Sequence, residues 1–178
     1  KDQLKNCVDK NLHIVHCDVN IGGKGENFTA RFSRKEGWIA SLCYNGKEFI
    51  TRRPRAAYCI ALTDKDRGGA LGFDRGYLQK AGQYQKDSDV QAEERENSVT
   101  VTFKFAVPVS GEVDSSVSYC AFADGTITVH ASYKGRKTLP DLPAFGMAWQ
   151  FKEALHNFRY YGYGPEENSV DRVEGARV

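Results

Sequence analysis

The run "SVTVTFKFAV", Ser98 to Val107, alternates without interruption: Val99, Val101, Phe103, Phe105 and Val107 fall on one side, Thr100, Thr102 and Lys104 on the other. Successive side chains of an extended chain point to opposite faces, so this segment is a strand with one buried face and one wet face. The same period recurs along the chain. A strand around Val117 to Phe122 leads into Asp124-Gly125, a dipeptide suited to a tight hairpin turn that needs positive φ, after which Ile127, Val129, Ala131 and Tyr133 resume the alternation. Upstream, "FTARFS" places Phe28, Ala30 and Phe32 on one face, Lys35-Glu36-Gly37 turns the chain, and "WIASL" returns it towards a further turn at Asn45-Gly46. No segment keeps apolar residues at helical spacing over three turns. The nearest, "FDRGYLQKAGQYQKD", holds glycines that limit it to a short helix. Short strands with turn signals about every ten residues predict an all-β, antiparallel sandwich or barrel, one domain over residues 1–178.

A chain of 178 residues can bury roughly 70% of its unfolded surface, enough for one sizeable core. No apolar window is long enough to cross a bilayer, so no membrane partner is expected. The net charge of +2 arises from 25 basic and 23 acidic residues spread over the whole chain, without the basic stripe of a nucleic-acid binder. The short basic run Thr51-Arg-Arg-Pro-Arg55 reads as a solvated face. Five scattered cysteines (Cys7, Cys17, Cys43, Cys59 and Cys120) without a CxxC pair read as reduced thiols. With the polar start "KDQLKNCVDK", unlike a signal peptide, they point to a cytoplasmic location.

Several residues invite a chemical reading. His13, His16 and Cys17 are zinc-ligand types, but residues three apart on a strand face opposite sides, so no metal site is expected there. His130 and His156 have no nucleophile or carboxylate beside them in sequence. "TDKDRGGALGFDRG" has three aspartates among glycines but lacks the ligand order and closing glutamate of a calcium loop, and reads as a tight or mobile loop whose aspartates could meet sugar hydroxyls. Glu166 and Glu167 in "YYGYGPEENSVDR" are neighbours whose side chains diverge. Glycoside hydrolysis needs two carboxyls converging on one bond, so a turn shaped by Gly162, Gly164 and Pro165 and tied by Asn168 and Asp171 is the expected role. No catalytic residue and no cofactor are assigned to the chain itself. Trp38 and Trp149 could stack on a sugar, but they read as core, with Phe145, Met147, Trp149 and Phe151 filling one strand face.

Taken in order, "FTARFSRKEGWIASLCYNGKEF", "AYCIALTDKDRGG", "KAGQYQ", "LPAFGMAWQF" and "FRYYGYGPEENSVDR" resemble the carboxy-terminal, small-chain-like β-sandwich domain of glycoside hydrolase family 2 β-galactosidases, over nearly all of the chain. The most specific part is the closing motif, in the family approximately tryptophan-tyrosine-glycine-x-glycine-proline-x-glutamate-asparagine-tyrosine-x-aspartate-arginine. Tyr161, Gly162, Gly164, Pro165, Glu167, Asn168, Asp171 and Arg172 fit it, while Tyr160 replaces the tryptophan and Ser169 the second tyrosine. Where the family tends to carry arginine-alanine-proline-threonine-aspartate-asparagine-aspartate, this chain has Ile60, Ala61, Leu62, Thr63, Asp64, Lys65 and Asp66, and so departs from the family pattern at the arginine, the proline and the asparagine.

The resemblance implies a many-stranded supersandwich, similar to the galactose mutarotase fold. It places the catalytic glutamates in a separate (β/α)₈ barrel of the parent enzyme, and it makes Asp64, Asp66, Arg67, Gly68, Gly69 and Phe73 a rim of the galactoside pocket. It implies the remaining domains of that enzyme as partners, with the galactoside reached through them. The chain ends at Val178, just after the closing motif, so a truncated sandwich is expected, with open edges that favour a homo-oligomer. Two other readings stay open: a free-standing carbohydrate-binding module, and an aldose-epimerase-like enzyme in which His130 or His156 would need a carboxylate in the same pocket.

Overall fold

A computed structural model of the chain describes residues 12–59, 78–81, 86–109, 113–139, 142–152, 157 and 159–163. The strands are β1 (His13–His16), β2 (Asn20–Lys24), β3 (Phe28–Ser33), β4 (Trp38–Tyr44), β5 (Lys47–Glu48), β6 (Ile50–Ala57), β7 (Lys86–Arg95), β8 (Ser98–Val107), β9 (Val113–Phe122), β10 (Ile127–Tyr133) and β11 (Gly146–Phe151). A single-turn helix, α1 (Leu78–Ala81), lies between β6 and β7. All pairings are antiparallel. They build a five-stranded sheet in the order β1-β2-β3-β4-β5, a four-stranded sheet β10-β9-β8-β7, and a two-stranded ribbon β11-β6.

The alternation in "SVTVTFKFAV" becomes the centre of the molecule. Val99, Val101, Phe103, Phe105 and Val107 are buried, and the first four meet Ile21, Phe28, Ala30, Phe32, Ile39 and Leu42 of the five-stranded sheet in one core. Rings cross between the sheets: Phe32 lies 5.8 Å from Tyr119, and Trp38 stacks on Phe105 at 4.9 Å. Each large apolar side chain removed from water in this way stabilises the fold by roughly 1.5–3 kcal/mol. Two facing antiparallel sheets are what the alternation predicts.

The turns also follow the expected chemistry. Asn45 and Gly46 take φ of 48° and 75°, the double positive φ of a primed hairpin turn, and Gly37 takes 71°. Gly125 sits at φ 90°, and a Cβ there would come within 3.3 Å of the Tyr44 ring, whose hydroxyl donates to the Gly125 carbonyl at 2.6 Å. The β9–β10 hairpin is thereby tied to the other sheet.

Several details differ from the expectation. β9 begins at Val113 rather than near Val117. Its inward position 115 is a serine, buried and bonded to Tyr58, and that polar residue hides the first two turns of the alternation. β7 has little apolar signal because it is an edge strand: among its described side chains, Val90 and Ala92 pack on the core, while Asp89, Gln91, Glu93, Glu94 and Arg95 are exposed, as suits an edge that must not template aggregation. Val129 is exposed because β10 is the opposite edge. On β11, Met147 and Trp149 pack against the core, but Phe145 and Phe151 are exposed and do not complete a buried face. They stack instead, Phe145 on Tyr58 at 5.8 Å and Phe151 on Trp149 at 5.9 Å.

Candidate functional site

The strand β6 shows the sharpest conflict between side-chain type and position. Ile50, Pro54, Ala56 and Tyr58 are buried, so residue 52 falls in the inward phase, yet Arg52 is exposed. The pairing with β11 explains this. Arg55 faces Ala148 and Arg52 faces Gln150, so three steps along β6 match two along β11; Ile50 then faces Phe151, two steps against one. β6 therefore carries two bulges, which bend a strand and re-aim its side chains. Pro54, which has no N–H to donate, fits within the first of them.

The result is a hollow of about 460 Å³ lined by Trp38, Arg52, Arg53, Arg55, Ala148, Trp149 and Gln150. Trp38 is almost wholly buried, while Trp149 is half-buried and stacked on Phe151 with ring planes 4° apart. Among the described residues no carboxylate forms an ion pair with Arg52, Arg53 or Arg55; the ion pairs seen are His16 with Glu94 and Lys104 with Asp89. Chemically the hollow offers guanidinium donors beside an aromatic wall, a combination suited to carboxylates and to apolar side chains or ring faces.

The strand is held from its start by Glu48. Its carboxylate accepts the backbone N–H groups of Leu42 at 2.8 Å, Phe49 at 3.1 Å and Ile50 at 3.2 Å, together with the Ser41 hydroxyl. Burial acts to raise its pKa, and the hydrogen bonds from Ser41, Leu42, Ile50 and Phe49 together outweigh it, so the carboxyl titrates below its ordinary value.

A second hollow, of about 320 Å³, is bounded by Lys104, Phe105, Asp114, Ser115, Ser116, Ser132 and Lys134. The Tyr58 hydroxyl donates to Ser115 at 3.0 Å, and Ser115 donates to the Ser132 carbonyl at 3.0 Å. Burial pushes the Tyr58 hydroxyl up to about 12 against the opposing Ser115 bond. Burial also pushes Tyr119 well above the ordinary tyrosine value, and its hydroxyl has no hydrogen-bond partner among the described residues.

Of the residues singled out from sequence, Asp64, Asp66, Arg67, Gly68, Gly69 and Phe73 lie outside the described residues, as do Gly164, Pro165, Glu166, Glu167, Asn168, Asp171 and Arg172. Tyr160, Tyr161, Gly162 and Tyr163 are described and exposed. His13 and His16 occupy β1; His16 meets Glu94 and lies 3.5 Å from the Arg34 guanidinium. Among the described residues no three His, Cys, Asp or Glu side chains gather as metal ligands. Cys17, Cys43 and Cys120 are free thiols. Among the described residues no helix is long and apolar enough to cross a membrane. The arginines of 51–55, read from sequence as merely solvated, are the functional candidates that the reading missed. Their one sequence signal is Arg52 in phase with Ile50, Pro54, Ala56 and Tyr58; the bulges that gather all three are set by β11, about a hundred residues later.

Two facing antiparallel sheets with a cationic, aromatic hollow at one side define a β-sandwich module. This chain belongs to the β-galactosidase small chain family, whose model matches residues 24–178. It is 40% identical to a β-galactosidase of Clostridium acetobutylicum over 96% of its own length and 19% of the relative's, and 40% identical to one of Lactobacillus delbrueckii subsp. bulgaricus over 91% of its own length and 16% of the relative's. A β-galactosidase small subunit of Latilactobacillus sakei is 29% identical, with 94% of this chain and 59% of that protein covered. The chain thus spans less than a fifth of the first two relatives.

Proposed function

We propose that the chain is the non-catalytic small-chain part of a cytoplasmic β-galactosidase, packing on the remaining polypeptide and shaping one side of its galactoside pocket. One observation carries this reading: nearly the whole chain aligns with only 19% of a protein that bears the name β-galactosidase. The hydrolytic carboxyls then belong to the other four-fifths, and the chain brings no cofactor of its own. Asp64, Asp66, Arg67, Gly68, Gly69 and Phe73 form the pocket rim in this reading, and Gly162 to Arg172 a structural turn. The facing antiparallel sheets support a supersandwich of the galactose mutarotase kind.

The test mixes the chain with the polypeptide carrying the rest of the enzyme and follows a chromogenic β-galactoside. Turnover is expected from the mixture and from neither part alone. Turnover by the chain alone that disappears in Glu166→Gln or Glu167→Gln would overturn the reading. A saturable change in tryptophan emission on adding galactose or lactose to the chain alone would favour a free-standing binding module.

A further inference from the structure

Resting on that reading, we propose that the hollow between β4, β6 and β11 is the docking socket for an acidic segment of the polypeptide that carries the rest of the enzyme. Three guanidinium groups within four residues repel one another, and no described carboxylate offsets them. A fold that spends two bulges and a buried proline to gather them leaves a local positive potential that an anionic partner relieves. Beside them, Trp149 is half-buried and Phe151 exposed, an apolar face next to the charges. Tryptophan and arginine are the side chains that most often dominate binding energy at protein interfaces.

The geometry favours a polypeptide over a small anionic sugar. Positions 52 to 55 extend over about 10 Å of strand, so the three guanidiniums call for two or more separate carboxylates. A uronic acid offers one carboxylate, which a single arginine can hold with both oxygens. An acidic segment presents several at strand or loop spacing, and a 460 Å³ hollow has room for an apolar side chain between them. Such a contact is needed wherever this module is a separate chain, as the name of the Latilactobacillus sakei relative describes.

The experiment measures association of the full chain with the remaining polypeptide by calorimetry, alongside the activity of the mixture. R52E/R53E/R55E is expected to weaken association about tenfold or more, and raising salt from about 0.1 to 1 M, which shortens the screening length from about 10 to 3 Å, to weaken the native pair but not this variant. Gln150→Glu, a surface change that puts a carboxylate into the hollow, should weaken it in the same direction without threatening the fold. Lys47→Glu, on β5 opposite Tyr44 and so beside the end of β4 away from Trp38, should leave it unchanged. Unaltered affinity in both the triple variant and Gln150→Glu overturns the proposal while leaving the β-galactosidase reading intact. Arginine-dependent association without activity supports the socket and sinks that reading, and no association at all sinks both. Saturable quenching of tryptophan emission by galacturonate but not galactose, lost in the triple variant, would assign the hollow to an anionic sugar and overturn the socket. Self-association abolished by the triple variant would assign it to a second copy, with the same consequence.

Discussion

Replacing Glu48 by glutamine tests how the arginine-bearing strand is anchored. The carboxylate accepts three backbone N–H groups and the Ser41 hydroxyl at the bend from β5 into β6, and one of those N–H groups belongs to Ile50, two residues before Arg52. Hydrogen bonds to a charged group contribute about 1.5–3 kcal/mol each when well buried. Solvent reaches this carboxylate, and glutamine keeps one oxygen as an acceptor, so the net loss is expected at about 1–2 kcal/mol, or roughly 4 °C in Tm for a chain of this size. The pH dependence carries the sharper test. Burial raises the Glu48 pKa but the four hydrogen bonds outweigh it, so the folded value lies below the ordinary 4.5. The unfolded chain therefore takes up the proton first as pH falls, and the stabilisation, fully present above pH 4.5, is lost as pH drops through the folded value. Thermal unfolding followed by circular dichroism should show native and Glu48→Gln chains separated at pH 7 and converging in acid. Equal midpoints at pH 7, or a gap that stays constant below pH 4.5, would refute the assignment.

Two buried tyrosines should respond with opposite signs. Tyr58→Phe removes a hydroxyl that donates to the buried Ser115 oxygen and is expected to cost about 1–2 kcal/mol, whereas Tyr119→Phe removes a buried hydroxyl without a partner among the described residues and should be neutral or stabilising by up to about 1 kcal/mol. Urea unfolding of both checks this, and a clear loss in both variants would count against it. Because Tyr58 is raised from 10.0 to about 12, its contribution is complete below pH 10 and is lost as pH rises through 12, so the difference between native chain and Tyr58→Phe should shrink over that interval. Exposed Val15, Phe122, Val129, Phe145 and Phe151 lie on or beside the edge strands β1 and β11 and the hairpin β9–β10, so the isolated chain is expected to self-associate with rising concentration in sedimentation. A strict monomer at high concentration would sink that expectation.

Much of the sandwich could be read directly. Period-two alternation in β3, β8 and β9, with the glycine turns at Gly37, Gly46 and Gly125, identifies strands, faces and hairpins, because burying one face fixes which alternate residues must be apolar. Where a strand lies at an edge the signal fades: among its described side chains β7 sets Val90 and Ala92 against the core, and its charges resemble a loop. The closing motif and the strand segments together carry the family resemblance that the comparisons match.

The sequence by itself determined that this chain buries one face of several strands, that its turns sit at glycines and asparagines, and that it resembles a β-galactosidase domain. All of these are local patterns, written in alternation and in positive-φ residues. Only the tertiary structure decided which strand pairs with which, that Trp38 is core while Trp149 is half open, and that Arg52, Arg53 and Arg55 share one hollow. That hollow depends on a register between β6 and β11 that slips by one residue twice, and a slip is a property of two distant segments together, carried by neither sequence alone.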